Sequence, residues 1–350
     1  MMQISPETQL FIREHSSDDV RVLALQAKKY PDIDMPTAIT QIAGRKVAAE
    51  KIPSWWEIEK IWYPKHLSLE QCSSEITARY KARLLQGDSL TDLTGGFGID
   101  CSFLATGFKS ATYVERQEEL CEIAAHNFPV LNLNHINIKN EDGVTYLQAM
   151  SPVDCLFLDP ARRNEHGGKT VAISDCEPNV AELEELLLQK ANRVMIKLSP
   201  MLDLSLALKE LKQTQEVHIL SVNNECKELL ILLGQTSPAE ISIHCVNLFT
   251  KGTQKEQHFV FTREQEQCSE CTYTDSLETY LYEPNASLLK AGAFRSIAAA
   301  YPVRKLHPNS HLYTSDTFIE NFPGRIFRIV NQCSFNKKEV KENLADLKKA

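Results

Sequence analysis

Ser89-Leu90-Thr91-Asp92-Leu93-Thr94-Gly95-Gly96-Phe97-Gly98-Ile99-Asp100 runs from a strand-like segment through a glycine loop and straight into the helical text CSFLATG. Glycine lets the backbone turn sharply and approach a ligand closely, so a ligand is expected against this loop. A G-x-G-x-x-G dinucleotide fingerprint needs glycine or alanine three residues after Gly98, and position 101 is Cys. The dinucleotide reading therefore fails. Asp92, at the carboxyl end of the first strand, would repel a pyrophosphate but suits an ammonium or a sulfonium.

Outward from the loop, strand-like runs alternate with helix-like ones as far as about Gly234: SLTDL, ATYVE, INIKN, CLFLD, RVMIKL, EVHILS and ELLILL. This alternation predicts an α/β fold with a doubly wound, mainly parallel sheet, whose ligands sit at the carboxyl ends of the strands. The residues just after each run then carry the argument. Glu115 closes the second run, 17 residues past Gly98, where a carboxylate can accept both hydroxyls of a ribose. Asn140-Glu141-Asp142-Gly143 closes the third, and Asp142 is placed to accept from an adenine amine, with Ile99 and Val114 flanking the ring. A cation, a ribose and an adenine together describe S-adenosylmethionine (SAM). The expected cofactor set is Asp92, Thr94, Gly95, Gly96, Phe97, Gly98, Glu115, Asp142 and Asp159.

The fourth run ends in Asp159-Pro160-Ala161-Arg162-Arg163. From Asp92 to Arg162 the chain resembles the Rossmann-fold class I methyltransferases, which have a seven-stranded sheet, bind SAM on D/E-x-x-x-G-x-G and carry D/N-P-P/A-x after the fourth strand. DLTGGFGID, YVER and LDPAR are most similar to the RNA-modifying branch, notably enzymes that methylate guanine N2 in ribosomal RNA. The order of segments resembles methyltransferases with a THUMP-like C-terminal domain. That resemblance implies that Asp159, the Pro160 carbonyl and Arg162 act at the target base. Enzymes with DPAR that form 5-methyluridine use a cysteine after the fifth strand, and here that segment reads Met195-Ile196-Lys197-Leu198-Ser199-Pro200. Ser199 is a far poorer nucleophile than a thiolate, so carbon-5 methylation is discounted. Lys197 is placed to neutralise a phosphate or to order the DPAR loop. Arg162 stands where related amine methyltransferases place an aromatic ring. It can stack on a base, grip a phosphate or form a loop-ordering salt bridge, and adenine N6 and guanine N2 both stay open.

Three regions are expected: a helical leader over 1–85, a methyltransferase domain over 86–237 and an α+β recognition domain, ferredoxin-like or THUMP-like, over 238–350. In the leader, Trp55, Trp56, Trp62 and Tyr63 beside Lys60, Lys65 and His66 either pack on the core or stack on bases. After Pro238, EISIHCVNLF and QHFVFTRE read as a hairpin, and the chain stops on a helix without a closing strand, as a truncated domain would.

The net charge of -8 gives no support to a general nucleic-acid binder. An RNA partner would need local patches: Arg162, Arg163 and Lys169, or Arg295, Arg304, Lys305, Arg325 and Arg328 on one shared face. Ten scattered cysteines, no signal-peptide pattern and no run of about 18 apolar residues predict a cytoplasmic protein with reduced thiols, off the membrane. Cys268-Ser-Glu-Cys271 lacks a second ligand pair, so no metal is expected. The function expected is a SAM-dependent methyltransferase acting on a base nitrogen in ribosomal or transfer RNA. The rivals are a small-molecule or protein methyltransferase and a non-catalytic SAM-binding module.

Overall fold

The computed structural model describes residues 4–162, 172–236, 238–334 and 336–343. Arg163 and Lys169 lie outside the described residues, as does the side chain of Arg162. The chain divides into two compact units, Met1–Val217 with Glu228–Ala239 and His218–Lys227 with Glu240–Ala350.

The leader is helical: α1 (Pro6–Glu14), α2 (Val20–Leu25), α3 (Met35–Lys51), α4 (Pro53–Trp56), α5 (His66–Gln71) and α6 (Glu75–Ala82). The caps are legible in the text. Asp19 accepts from the Arg21 N–H at the start of α2, and Asp34 accepts from that of Thr37 with Pro36 in the first turn of α3. Trp55 and Tyr63 are buried with Phe97 and Ile99 in one apolar cluster, each such side chain contributing about 1.5–3 kcal/mol by leaving water. Two buried amides clamp the connecting segment. Gln41 exchanges two 2.9 Å hydrogen bonds with the Tyr63 backbone, and Asn127 does the same with Trp62. The leader aromatics are therefore packing residues for the most part: Trp62 stacks on His126 at 3.7 Å, and Trp56, under the Arg45 guanidinium, is the exposed one.

The main sheet is built from β1 (Ser89–Asp92), β2 (Ser110–Glu115), β3 (Ile136–Asn140) and β4 (Val153–Leu158), with a two-residue ribbon of β5 (Ala161–Arg162) and β6 (Cys176–Glu177) lying apart. It continues through β7 (Ala191–Leu198), β8 (Thr214–Val222), β9 (Glu225–Gly234), β10 (Ser242–Leu248) and β11 (Glu256–Thr262). Its order is β11-β10-β8-β9-β7-β4-β1-β2-β3. The fold class is thus the expected doubly wound, mainly parallel α/β sheet, with nine strands because the β10–β11 hairpin joins it. Helices α7 (Ile99–Ala105), α8 (Glu118–Val130), α9 (Gly143–Ala149), α10 (Val180–Lys190) and α11 (Leu204–Glu210) alternate with the strands. β1 pairs in parallel with both β2 and β4, which puts the reversal of strand order, and so the ligand crevice, at the ends of β1 and β4. β9 pairs antiparallel to β7, so it begins at the edge where the parallel strands finish.

The second unit adds helices α12 (Arg263–Cys268), α13 (Ala286–Ala291), α14 (Phe294–Ala300) and α15 (Lys337–Asn343). A four-stranded antiparallel sheet of β12 (Tyr280–Pro284), β13 (Arg304–Lys305), β14 (Tyr313–Ser315) and β15 (Gly324–Arg328) has the order β13-β14-β12-β15. Among the described residues no helix is long and apolar enough to cross a membrane.

Candidate active site

The glycine loop is shaped by its neighbours. A Cβ on Gly95 would lie 2.2 Å from the Tyr113 ring, and Gly98 has φ +87° where it opens α7, so neither position tolerates a side chain without movement. Tyr113 Oη donates to the Gly96 carbonyl at 2.5 Å, and the Gly96 N–H donates to Glu115 Oε2 at 2.8 Å. The other Glu115 oxygen accepts from Gln117 N–H at 2.8 Å. Glu115 thus fixes the loop from the end of β2, with carboxylate lone pairs left to accept from a ligand.

Asp142 caps α9. Its Oδ1 takes all three local donors, from the Val144 and Thr145 amides and the Thr145 hydroxyl, and the residue is exposed. A Cβ on Gly143 would meet the Leu93 carbonyl at 2.2 Å, so this cap sits directly against the loop after β1. Thr94 bridges β1 and β4: its N–H donates to Asp92 Oδ1 at 2.9 Å and its Oγ1 accepts from the Asp159 N–H at 2.6 Å. Pro160 is buried beside them. Phe97 differs from the rest of the expected cofactor set. Its ring packs between Trp55 and Tyr63 in the core, at 5.1 and 6.3 Å, so its role is to seat the loop.

Asp92 is 1% exposed, and its Oδ2 has no hydrogen-bond partner among the described residues. Burial pushes its carboxyl up to about 8, against the opposing pull of the Thr94 hydrogen bond. The folded form keeps its proton through the range in which the unfolded chain, near 3.8, gives it up, so stability falls as pH rises from about 4 to about 8. Asp92→Asn, which keeps an acceptor for Thr94, should therefore stabilise the ligand-free protein by about 2–5 kcal/mol at pH 8 and by almost nothing near pH 3. Thermal melts of both proteins across that range check the sign, and a gain that shrinks with rising pH contradicts it.

Beneath Asp159 lies a set of charges of which the sequence singles out only Lys197. Lys197 Nζ is 2.6 Å from Asp159 Oδ2, 3.1 Å from Asp100 Oδ2 and 3.0 Å from Ser73 Oγ. Lys81 Nζ is 2.9 Å from Asp100 Oδ1, 2.6 Å from Glu228 Oε2 and 2.8 Å from Ser73 Oγ. The carboxylates around Lys197 raise its pKa well above the usual lysine range despite its burial, and the two ammonium groups hold Asp100 far below the usual carboxylate range. Asp100 was visible only as the tail of the glycine loop. Ser73, Lys81 and Glu228 carried no signal.

The basic residues of the second unit do not form the shared face expected of them. In the small sheet Arg304 pairs through Thr314 with Leu281, and Arg325 pairs with Glu283, so these two lie on one face at opposite edges. Lys305 and Arg328 lie on the other face by the same register. Lys305 is 3% exposed and donates to the His307 and Pro308 carbonyls, while Arg304 is ion-paired with Glu278 and Arg325 with Glu283.

Residues 280–323 match a ferredoxin-like domain family. Over its whole length the chain is similar to a crystal structure named "putative methyltransferase from Porphyromonas gingivalis W83". The identity is 34%, covering 99% of this chain and 87% of that one, with a TM-score of 0.86. It is also similar to a Streptococcus mutans methyltransferase in complex with SAH, likewise named as putative (13% identity, 46% of this chain, 96% of that one, TM-score 0.33), and to an rRNA methylase from Streptococcus thermophilus (14%, 45% and 93%, TM-score 0.33). No curated protein matches.

Proposed function

We infer that this chain, which belongs to the same methyltransferase family as the Porphyromonas gingivalis W83 protein, binds SAM at the ends of β1 to β4 and methylates a base nitrogen in RNA presented to Asp159. The observation that carries the cofactor is the convergence of Asp92, Glu115 and Asp142 around one glycine loop. The residues fit the ligand. Among the described residues, Asp92 offers a buried oxygen without a hydrogen-bond partner for a cationic group, and a Cβ on Gly96 would meet the Thr94 carbonyl alone within 4 Å, at 3.8 Å.

When bound, SAM supplies a methyl group on a cationic sulfur with a neutral leaving group. The chain's task is then to orient the acceptor, which in general is worth about 7–11 kcal/mol of barrier. Asp159 accepts a hydrogen bond from the acceptor N–H, turns its lone pair toward the methyl group and takes up the proton afterwards. Glu115 would hold the ribose, Asp142 the adenine amine, and Gly96 and Gly98 the backbone approach. RNA as the substrate class, with the base nitrogen as its target, is supported by the likeness of LDPAR to RNA-modifying enzymes. A small-molecule or protein acceptor is the second reading, favoured by the division of the C-terminal basic residues between two faces and their pairing with Glu278 and Glu283.

Glu115→Ala should weaken SAM binding by about 10- to 100-fold, the loss of one or two charge-assisted hydrogen bonds. Calorimetry reads it directly. Equal affinity in the variant, or tighter binding of NADH than of SAM by the parent, removes the cofactor assignment. Incubation with radiolabelled SAM and the separated ribosomal RNA, transfer RNA, protein and metabolite fractions of a cell lacking the gene decides the acceptor. Label entering only protein or metabolites overturns the RNA reading.

A further inference from the structure

The charge network under Asp159 is compact and almost wholly buried. Lys197 donates hydrogen bonds to Asp100 and Ser73 and is ion-paired with Asp159, while Lys81 donates to Glu228 and Ser73 and is ion-paired with Asp100. The Ser73 hydroxyl accepts from both lysines and donates to Asp100 at 2.7 Å, so it is saturated. Lys197 is thus engaged by three groups of the network. Two ammonium groups face three carboxylates, which leaves one surplus negative charge. Side-chain exposure is 0% for Lys81, 9% for Lys197 and Asp100, 10% for Glu228 and 37% for Asp159. The network opens to solvent at Asp159, so the surplus charge faces outward there.

Buried ion pairs are weak contributors to stability, since desolvation offsets most of their attraction. A site that needed only packing would be served by apolar residues. We propose that Lys197 is a positioning residue: it pins the Asp159 carboxylate by one oxygen and, with Lys81, trims the buried charge to a single negative unit that selects a cationic ligand group. The leader residues Ser73 and Lys81 thereby belong to the site. This rests on the methyltransferase reading, in which the cationic group is the sulfonium of SAM, absent from S-adenosylhomocysteine (SAH).

The test is the ratio of SAH to SAM dissociation constants, measured by calorimetry on the full chain. A purely structural loss weakens both ligands alike and leaves the ratio alone. Lys197→Met frees negative charge beside the sulfonium, and the ratio should rise about five- to tenfold. Lys197→Arg, which keeps the charge, should stay within about twofold of the parent, and adding Asp159→Asn to Lys197→Met should bring the ratio back. An unchanged ratio in Lys197→Met, or the same rise in Lys197→Arg, overturns the proposal. If Lys197→Met does not fold, Asp159→Asn alone should lower the ratio at least about threefold, and an unchanged value overturns the proposal equally. A parent that binds neither ligand removes the methyltransferase reading instead.

Discussion

Asp159→Ala is expected to lower methyl transfer about a thousandfold while SAM affinity falls by no more than a few-fold, because in the proposed mechanism the carboxylate chiefly aligns the acceptor and adds only its charge to the hold on the sulfonium. Its backbone N–H on Thr94 Oγ1 survives the substitution, so the loop after β4 keeps its anchor to β1. Lys197 loses one of three partners and retains Asp100 and Ser73. Single-turnover rates with the fraction that takes label, set beside calorimetry for SAM, separate the two effects. Proportional loss of both would place Asp159 in the cofactor pocket. A fully active variant would sink the mechanism.

Lys81→Met should be strongly destabilising, by about 3–5 kcal/mol, because it leaves Glu228 buried without its counter-charge. The lysine is fully buried, and Glu228 Oε2 lies 2.6 Å from it. Removing the second charge as well, in Lys81→Met with Glu228→Met, should recover at least half of that loss, since two apolar side chains of similar volume replace a pair that desolvation had made costly. Urea unfolding of the parent, both single variants and the double variant gives the coupling. Strict additivity of the two single effects would mean that the pair does not interact.

Much of the fold was legible because two local signals agree in this chain. Apolar runs such as CLFLD and RVMIKL alternate with helical text, and each run became a strand of the main sheet, β4 and β7 among them. The glycine loop was legible for a similar reason, since its conformation is a local property: Gly98 takes φ +87° at the start of α7. Glu115 and Asp142 followed from the rule that residues just after parallel strands face the ligand, and both stand at that edge.

That same rule hid Glu228. It opens its run instead of closing it, and it reaches the ligand edge only because β9 is antiparallel to β7, with Leu229 opposite Leu198. Phe97 sits within the loop motif, yet its ring turns into the core because Trp55 and Tyr63 are there to receive it. Arg304 and Lys305 are adjacent in sequence, and strand geometry sends them to opposite faces.

The sequence by itself determined the alternation of strands and helices, the turn at the glycines and the carboxylates at the strand ends, all of which follow from a residue and its near neighbours. Only the tertiary structure decided that Ser73, Lys81, Asp100, Lys197 and Glu228 meet beneath Asp159. They come from as far apart as positions 73 and 228. A charge is held in the interior only where opposite charges arrive with it, and such compensation depends on distances in space that no spacing along the chain encodes.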